Sequence, residues 1–218
     1  MNLRLIAAAC VLLLLAACTE TRFESPPGDD IKACDPGWKG LWVDASANAS
    51  ADEPDELAFL VDTECRFQLI ERPEKDGPPK LIHIPLNFVH DRGKHYLVVA
   101  DDQLSGVVDI EPVHRVTPAP AKAFFIARYE LDKDRLRIFD IDSTRVAHLV
   151  LDKVLDGTVD SGNNELHVFV RGDRARVLDI LRKQDLFDAK SNADVRRIKS
   201  SLEDYERKRT AMRKGRKP

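Results

Sequence analysis

The sequence predicts a mainly β, α+β fold: an antiparallel curved sheet or partly closed β-barrel of about seven or eight short strands, with two or three helices in the C-terminal third. Three observations carry that expectation. Apolar and polar residues alternate in short runs, as Cys65, Phe67 and Leu69 do with Arg66 and Gln68, which is the period of a strand with one buried face. Turn-forming clusters such as Asp91-Arg92-Gly93-Lys94 and Asp132-Lys133-Asp134 separate the runs. After Phe139 the period lengthens, and Val146, Leu149, Val150 and Val154 recur at helical spacing.

The chain opens with Arg4 and thirteen unbroken apolar residues, Leu5 to Ala17. As a helix at about 1.5 Å per residue they reach roughly 20 Å, short of the roughly 30 Å hydrocarbon core of a bilayer. Residues 1–17 therefore read as a secretory signal peptide rather than a span. Leu15-Ala16-Ala17-Cys18 resembles the lipobox of bacterial lipoproteins. The resemblance implies cleavage before Cys18, diacylglycerol on its sulfur and acylation of the new amino terminus. Because Thr19 rather than an aspartate follows, it also implies outer-membrane, periplasm-facing placement where the source has two membranes. Simple secretion after a cut at an Ala-x-Ala type site is the alternative. Several acyl chains, at about 0.8 kcal/mol per buried methylene, make an effectively permanent anchor.

Residues 18–33, with Pro26-Pro27-Gly28-Asp29-Asp30, read as a lipidated flexible tether. Cys10 leaves with the leader and Cys18 takes the lipid, so Cys34 and Cys65 are the remaining pair. Outside the cytosol such a pair forms a disulfide; two free thiols or half a metal site are the alternatives, and the spacing matches no zinc pattern. Residues 34–190 read as a single β-rich domain. Its strands fall at Trp38–Val43, Leu57–Val61 and Cys65–Ile70, then in a hairpin of Ile82–Phe88 with Tyr96–Val99, then in a hairpin of Phe124–Leu131 with Arg135–Phe139, and at Leu166–Val170. Pro85 suggests an edge position or bulge. Asp142 or its neighbours cap one helix that Gly157 stops, and Asp173 caps another. Residues 101–122, with Pro112, Pro118 and Pro120, form a long excursion of the kind that carries function. Residues 191–218 read as a charged amphipathic helix, with Val195, Ile198, Leu202 and Tyr205 on one line, followed by a basic tail.

Net charge is −3, and removal of Arg4 with the leader makes it −4. Residues 191–218 hold ten basic and four acidic residues, so the body from Cys18 to Lys190 carries −10. An acidic body argues against nucleic acid as a partner. The basic tail offers a contact for anionic lipid or an acidic envelope polymer, or is a solvated helix end.

Gly40-Leu41-Trp42 resembles the Gly-x-Trp that opens the barrel of lipocalins and other calycins. That resemblance implies a basic residue lying across the tryptophan, a place that Arg171 would fill, and a small apolar ligand. Val43 is not the aromatic residue frequent after that tryptophan, and a helix between Phe139 and Leu166 interrupts the run of hairpins. His90 and His95 flank one turn and could converge on a metal, but no third ligand is evident, and no cofactor is expected. Ser-x-x-Lys, His-Glu-x-x-His and phosphate-cradling glycine loops do not occur. The reading is of an envelope lipoprotein held to the membrane through Cys18, a non-enzymatic module binding an envelope protein or a small apolar ligand. The alternative is an envelope hydrolase with a site near the 101–122 loop, drawing on His83, His90, His95 or His114.

Overall fold

The computed structural model describes residues 19–45, 57–72, 78–108, 110–162 and 165–215. Cys18 and the leader lie outside them. Thirteen strands among these residues form one continuous sheet. Its backbone is two antiparallel meanders. In the first, β3 (Gly40–Asp44), β4 (Ala58–Val61), β5 (Phe67–Glu71) and β6 (Lys80–Ile84) pair in sequence order. In the second, β7 (Asn87–Asp91), β8 (Lys94–Ala100), β9 (Phe124–Asp132) and β10 (Arg135–Phe139) do the same. A late strand, β13 (Ala193–Ile198), pairs with β10 on one edge and β3 on the other, so the meanders join into a curled half-barrel.

Alternation decides what fills each face. Phe88, Leu97, Val99, Phe125, Ala127 and Tyr129 point inward with Trp38, Trp42, Phe59 and Phe67, forming an aromatic-rich interior. The intervening Val89, Tyr96, Val98 and Ile126 point outward into a second core. Two helices, α1 (Ser143–Leu151) and α2 (Arg174–Lys183), supply its other side through Val146, Val150, Val177 and Leu181. Asp142 and Asp173 cap them, accepting from the N–H of Arg145 at 2.9 Å and of Arg176 at 2.8 Å. Burial on both faces explains why residues 96–100 read as a continuous apolar run. The third helix, α3 (Leu202–Gly215), lays Leu202 and Tyr205 against Leu41, Val43, Ala58 and Ile70.

The sheet forks at β9. One edge of this strand pairs with β8; along the other, Arg128 to Asp132 pair with β10, while Phe124 pairs with Phe23 of β1 (Thr19–Phe23). β1 runs parallel to β12 (Glu165–Val170), and β12 forms a hairpin with β11 (Gly157–Gly162). A three-strand wing therefore splays from the half-barrel, and the wedge between β1 and β10 is open.

Several expectations are corrected. Residues 19–33 are no free tether: β1 pairs along its length with β12, Phe23 is buried, and β2 (Ile31–Lys32) pairs with β7. Residues 193–198 are a strand, not part of a helix. Val195 enters the inner core while Ile198 faces α3, so the apparent helical line combined residues on opposite faces. The folded unit thus extends beyond 34–190 at both ends. The run from Ile82 to Phe88 breaks at Pro85-Leu86 into β6 and β7, and the hairpin is β7 with β8. Val154 lies past the end of α1 and is exposed.

The Cys34–Cys65 disulfide is present and closes 31 residues of chain. It ties the entrance of β3 to the β4–β5 turn, where Asp62 accepts from the N–H groups of Glu64 and Arg66. The cation over Trp42 is Arg197 of β13, 4.6 Å from the ring centre, and not Arg171, which follows β12 in the wing. Arg197 Nη2 donates to the carbonyls of Gly37 at 2.7 Å and Lys133 at 3.1 Å. Gly40 holds φ +127°, and a Cβ there would stand 3.0 Å from Arg197 Cδ, so backbone freedom and close approach both require glycine.

Candidate functional site

The wedge at the fork is a cleft of about 270 Å³. Its floor is apolar, from Leu97, Val99, Phe125 and Ala127; Thr19, Glu20 and Thr21 of β1 form one wall, and Asp140, Asp188 and Asn192 form the other. The polar walls are held by their own bonds. Thr21 Oγ1 donates to Ser143 Oγ at 2.9 Å, Asp140 N–H donates to Asn192 Oδ1 at 3.0 Å, and Asn192 Nδ2 donates to Asp188 Oδ2 at 3.3 Å. Asp140 Oδ1 is buried and has no hydrogen-bond partner among the described residues. Burial, with a smaller contribution from the Asp188 charge, pushes the Asp140 carboxyl up to about 7. Near neutral pH it is thus poised to donate or accept a proton-bearing bond. An apolar floor with a few fixed polar groups is the composition of a small-molecule site.

Around the back of β1 lies a second constellation. Glu20 and Arg22 alternate away from Thr21 and Phe23, and the parallel register sets Glu20 beside His167. The 101–122 loop covers this face. His114 stacks on His167 with ring centres 3.9 Å apart and planes 6° from parallel. Each ring nitrogen meets a carboxylate: His167 Nδ1 with Glu20 at 3.0 Å and Nε2 with Glu165 at 3.2 Å; His114 Nε2 with Glu111 at 3.1 Å and Nδ1 with Asp160 at 3.3 Å. Burial lowers the His167 pKa, but its bonds to Glu20 and Glu165 outweigh that and the net shift is upward. Arg22, 2 % exposed, anchors the loop by donating to Glu20 at 2.6 Å and to the Glu111 carbonyl at 2.7 Å.

Of the histidines named from sequence, His114 alone joins this cluster. His83 is exposed on β6. His90 and His95 oppose each other across the β7–β8 hairpin, ring centres 4.5 Å apart, in a separate network. There Asp35 Oδ2 accepts from the buried Tyr129 hydroxyl, and His90 Nε2 lies 2.8 Å from that hydroxyl and 3.2 Å from Asp35. Asp35 Oδ1 also accepts from Gly37 N–H, capping the 3-10 turn Pro36–Trp38. Burial raises the Tyr129 phenol far above its ordinary range, and the Asp35 carboxylate adds to that. Burial lowers the His95 pKa, with repulsion from His90 next. This network ties the disulfide-linked turn to the barrel floor, a structural role for two histidines expected to converge on a site. His167 escaped the sequence reading because its partners stand on another strand and a distant loop. The only local signal was Glu165 two residues away, on the same strand face.

Among the described residues no helix is long and apolar enough to cross a membrane. No protein-family model, curated protein or solved structure matches the chain.

Proposed function

We propose that this protein is an envelope lipoprotein, anchored by lipid on Cys18 at the periplasmic face of an outer membrane, whose body is a non-enzymatic module that binds a small molecule in the cleft at the fork. The ligand class is an amphiphile with an apolar portion for the Leu97, Val99, Phe125 and Ala127 floor and a hydrogen-bonding head for Asp140. The observation that carries the reading is position: Thr19, a wall of the cleft, directly follows Cys18, and adjacent Cα atoms are about 3.8 Å apart. A lipid-bearing cysteine would put the cleft mouth at the membrane surface, where amphiphiles are concentrated.

The experiment is native mass spectrometry of the full lipoprotein released from cell membranes in mild detergent, for wild type and for Asn192→Trp on the exposed rim of the cleft. The expected result is an acylated Cys18 and a copurifying amphiphile that the indole of the variant displaces. Equal retention by both proteins, or an unmodified Cys18 thiol, contradicts the reading.

A lipocalin-like carrier is favoured by one observation, the stack of Arg197 on Trp42 with its bond to the 3-10 turn. The half-barrel interior, however, is filled by Trp38, Trp42, Phe59, Phe67, Phe88 and Tyr129, which moves any ligand from the barrel axis to the side cleft. The hydrolase alternative draws on His114 beside the 101–122 loop, whose contacts are with carboxylates and a second imidazole rather than with a hydroxyl or thiol nucleophile.

A further inference from the structure

We propose that Glu111, His114 and His167 form a binding site for a divalent transition metal of borderline softness, such as zinc, built between the 101–122 loop and the face of β12. The inference stands apart from the cleft and survives its failure.

Convergence comes first. One ligand atom from each of the three residues lies within 4.8 Å of the others, although they come from a loop and a strand more than fifty positions apart. Ligand atoms around a tetrahedral zinc stand about 3.3 Å apart, given Zn–N and Zn–O bonds of about 2.0–2.1 Å. Rotation of the exposed Glu111 and loop-borne His114 side chains toward the β12 ring supplies that closure. The donor set then selects the ion. Two imidazoles with a carboxylate suit zinc and its neighbours, whereas calcium and magnesium favour all-oxygen shells.

The surroundings are those of a ligand shell. A metal-bound imidazole is oriented by a carboxylate on its other nitrogen. With Glu111 itself a ligand, binding through His114 Nε2 leaves Asp160 on Nδ1, and binding through either nitrogen of His167 leaves Glu20 or Glu165 on the other. Charge agrees. Glu20, Glu111, Asp160 and Glu165 face Arg22 and Arg115, so carboxylates outnumber guanidinium groups around the two rings and favour a cation there. Buried Arg22 also holds the loop in register over the strand before any ion arrives.

The test is titration of chelator-stripped, full-length lipoprotein in detergent with Co²⁺, followed by Zn²⁺. Wild type is expected to take up about one equivalent of Co²⁺ with the visible absorption of a low-coordinate site, and to lose it to Zn²⁺. His114→Ala and His167→Ala should each weaken uptake by at least about tenfold. His90→Ala/His95→Ala should bind as wild type does. A fold-independent arm uses the unaltered protein: Zn²⁺ must shift the ¹⁵N ring resonances of His114 and His167 and leave those of His90 and His95 in place. No stoichiometric Co²⁺ uptake by wild type, resonance shifts confined to His90 and His95, or unchanged binding in the His114 and His167 variants overturns the site.

Discussion

Single residues carry charge and strain that the alternation pattern does not show. Asp140 is one: its carboxyl, held near 7 by burial, binds its proton more tightly in the folded chain than in the unfolded one. Its contribution to stability is therefore fully present below the ordinary carboxylate range, falls as pH rises, and levels off above about 7. Asp140→Asn should add on the order of a few kcal/mol at pH 8 and little at about pH 4. Thermal melts across that range check it, and a gain of the same size at every pH would contradict the assignment. Arg197 is another. Its cation sits over Trp42 and its two bonds reach the 3-10 turn at Gly37 and the β9–β10 turn at Lys133, so Arg197→Ala should cost about 2–4 kcal/mol in chemical denaturation, with Lys restoring only part. Gly40→Ala should also destabilise, because its Cβ presses on the Arg197 stem and strains a positive φ. An effect below about 0.5 kcal/mol for both would show that the stack is not structural. From sequence the glycine and tryptophan were legible as a pair, but the arginine was not, because its strand read as helix.

At the scale of elements, local patterns were read well where one chain segment meets its neighbour and poorly where pairing is remote. The β9–β10 hairpin and both helix caps follow from adjacent residues, and they stand where turn and cap chemistry puts them. β1 and β13 do not announce themselves. Each is short and polar, and becomes a strand because a partner far along the chain, β12 or β3, offers a free edge. The consequence is testable by truncation. A chain ending at residue 200 keeps β13 and should fold, losing the packing of Leu202 and Tyr205. A chain ending at 192 removes the strand that joins the meanders and should show no cooperative melt. The disulfide works at the same scale. Closing a 31-residue separation restricts the unfolded chain, so Cys34→Ser/Cys65→Ser should lose roughly 3–4 kcal/mol in the chain-entropy view. Equal denaturation midpoints with and without reductant would contradict it.

Across the whole molecule, the fork sets where open space remains. A half-barrel whose interior is closed by aromatic packing keeps its open space where β1 and β10 part from β9, and both candidate sites touch the first strand: the cleft through Thr19 to Thr21, the metal cluster through Glu20. Curvature, strand richness and the helices late in the chain could be read from sequence because they follow from periodicity. The sites could not, since each gathers side chains from three or more distant segments. The expectation of a flexible tether before the body gives way to a sheet that begins at Thr19, the residue after the cysteine proposed to carry lipid. Hydrogen–deuterium exchange on the proposed membrane-bound, acylated form of the chain tests that geometry most directly. The amides of residues 19–23 that point to β12 should exchange as slowly as those of β9. Exchange of those amides at the rate of an unstructured peptide would contradict it, and with it the proposed placement of the cleft at a membrane.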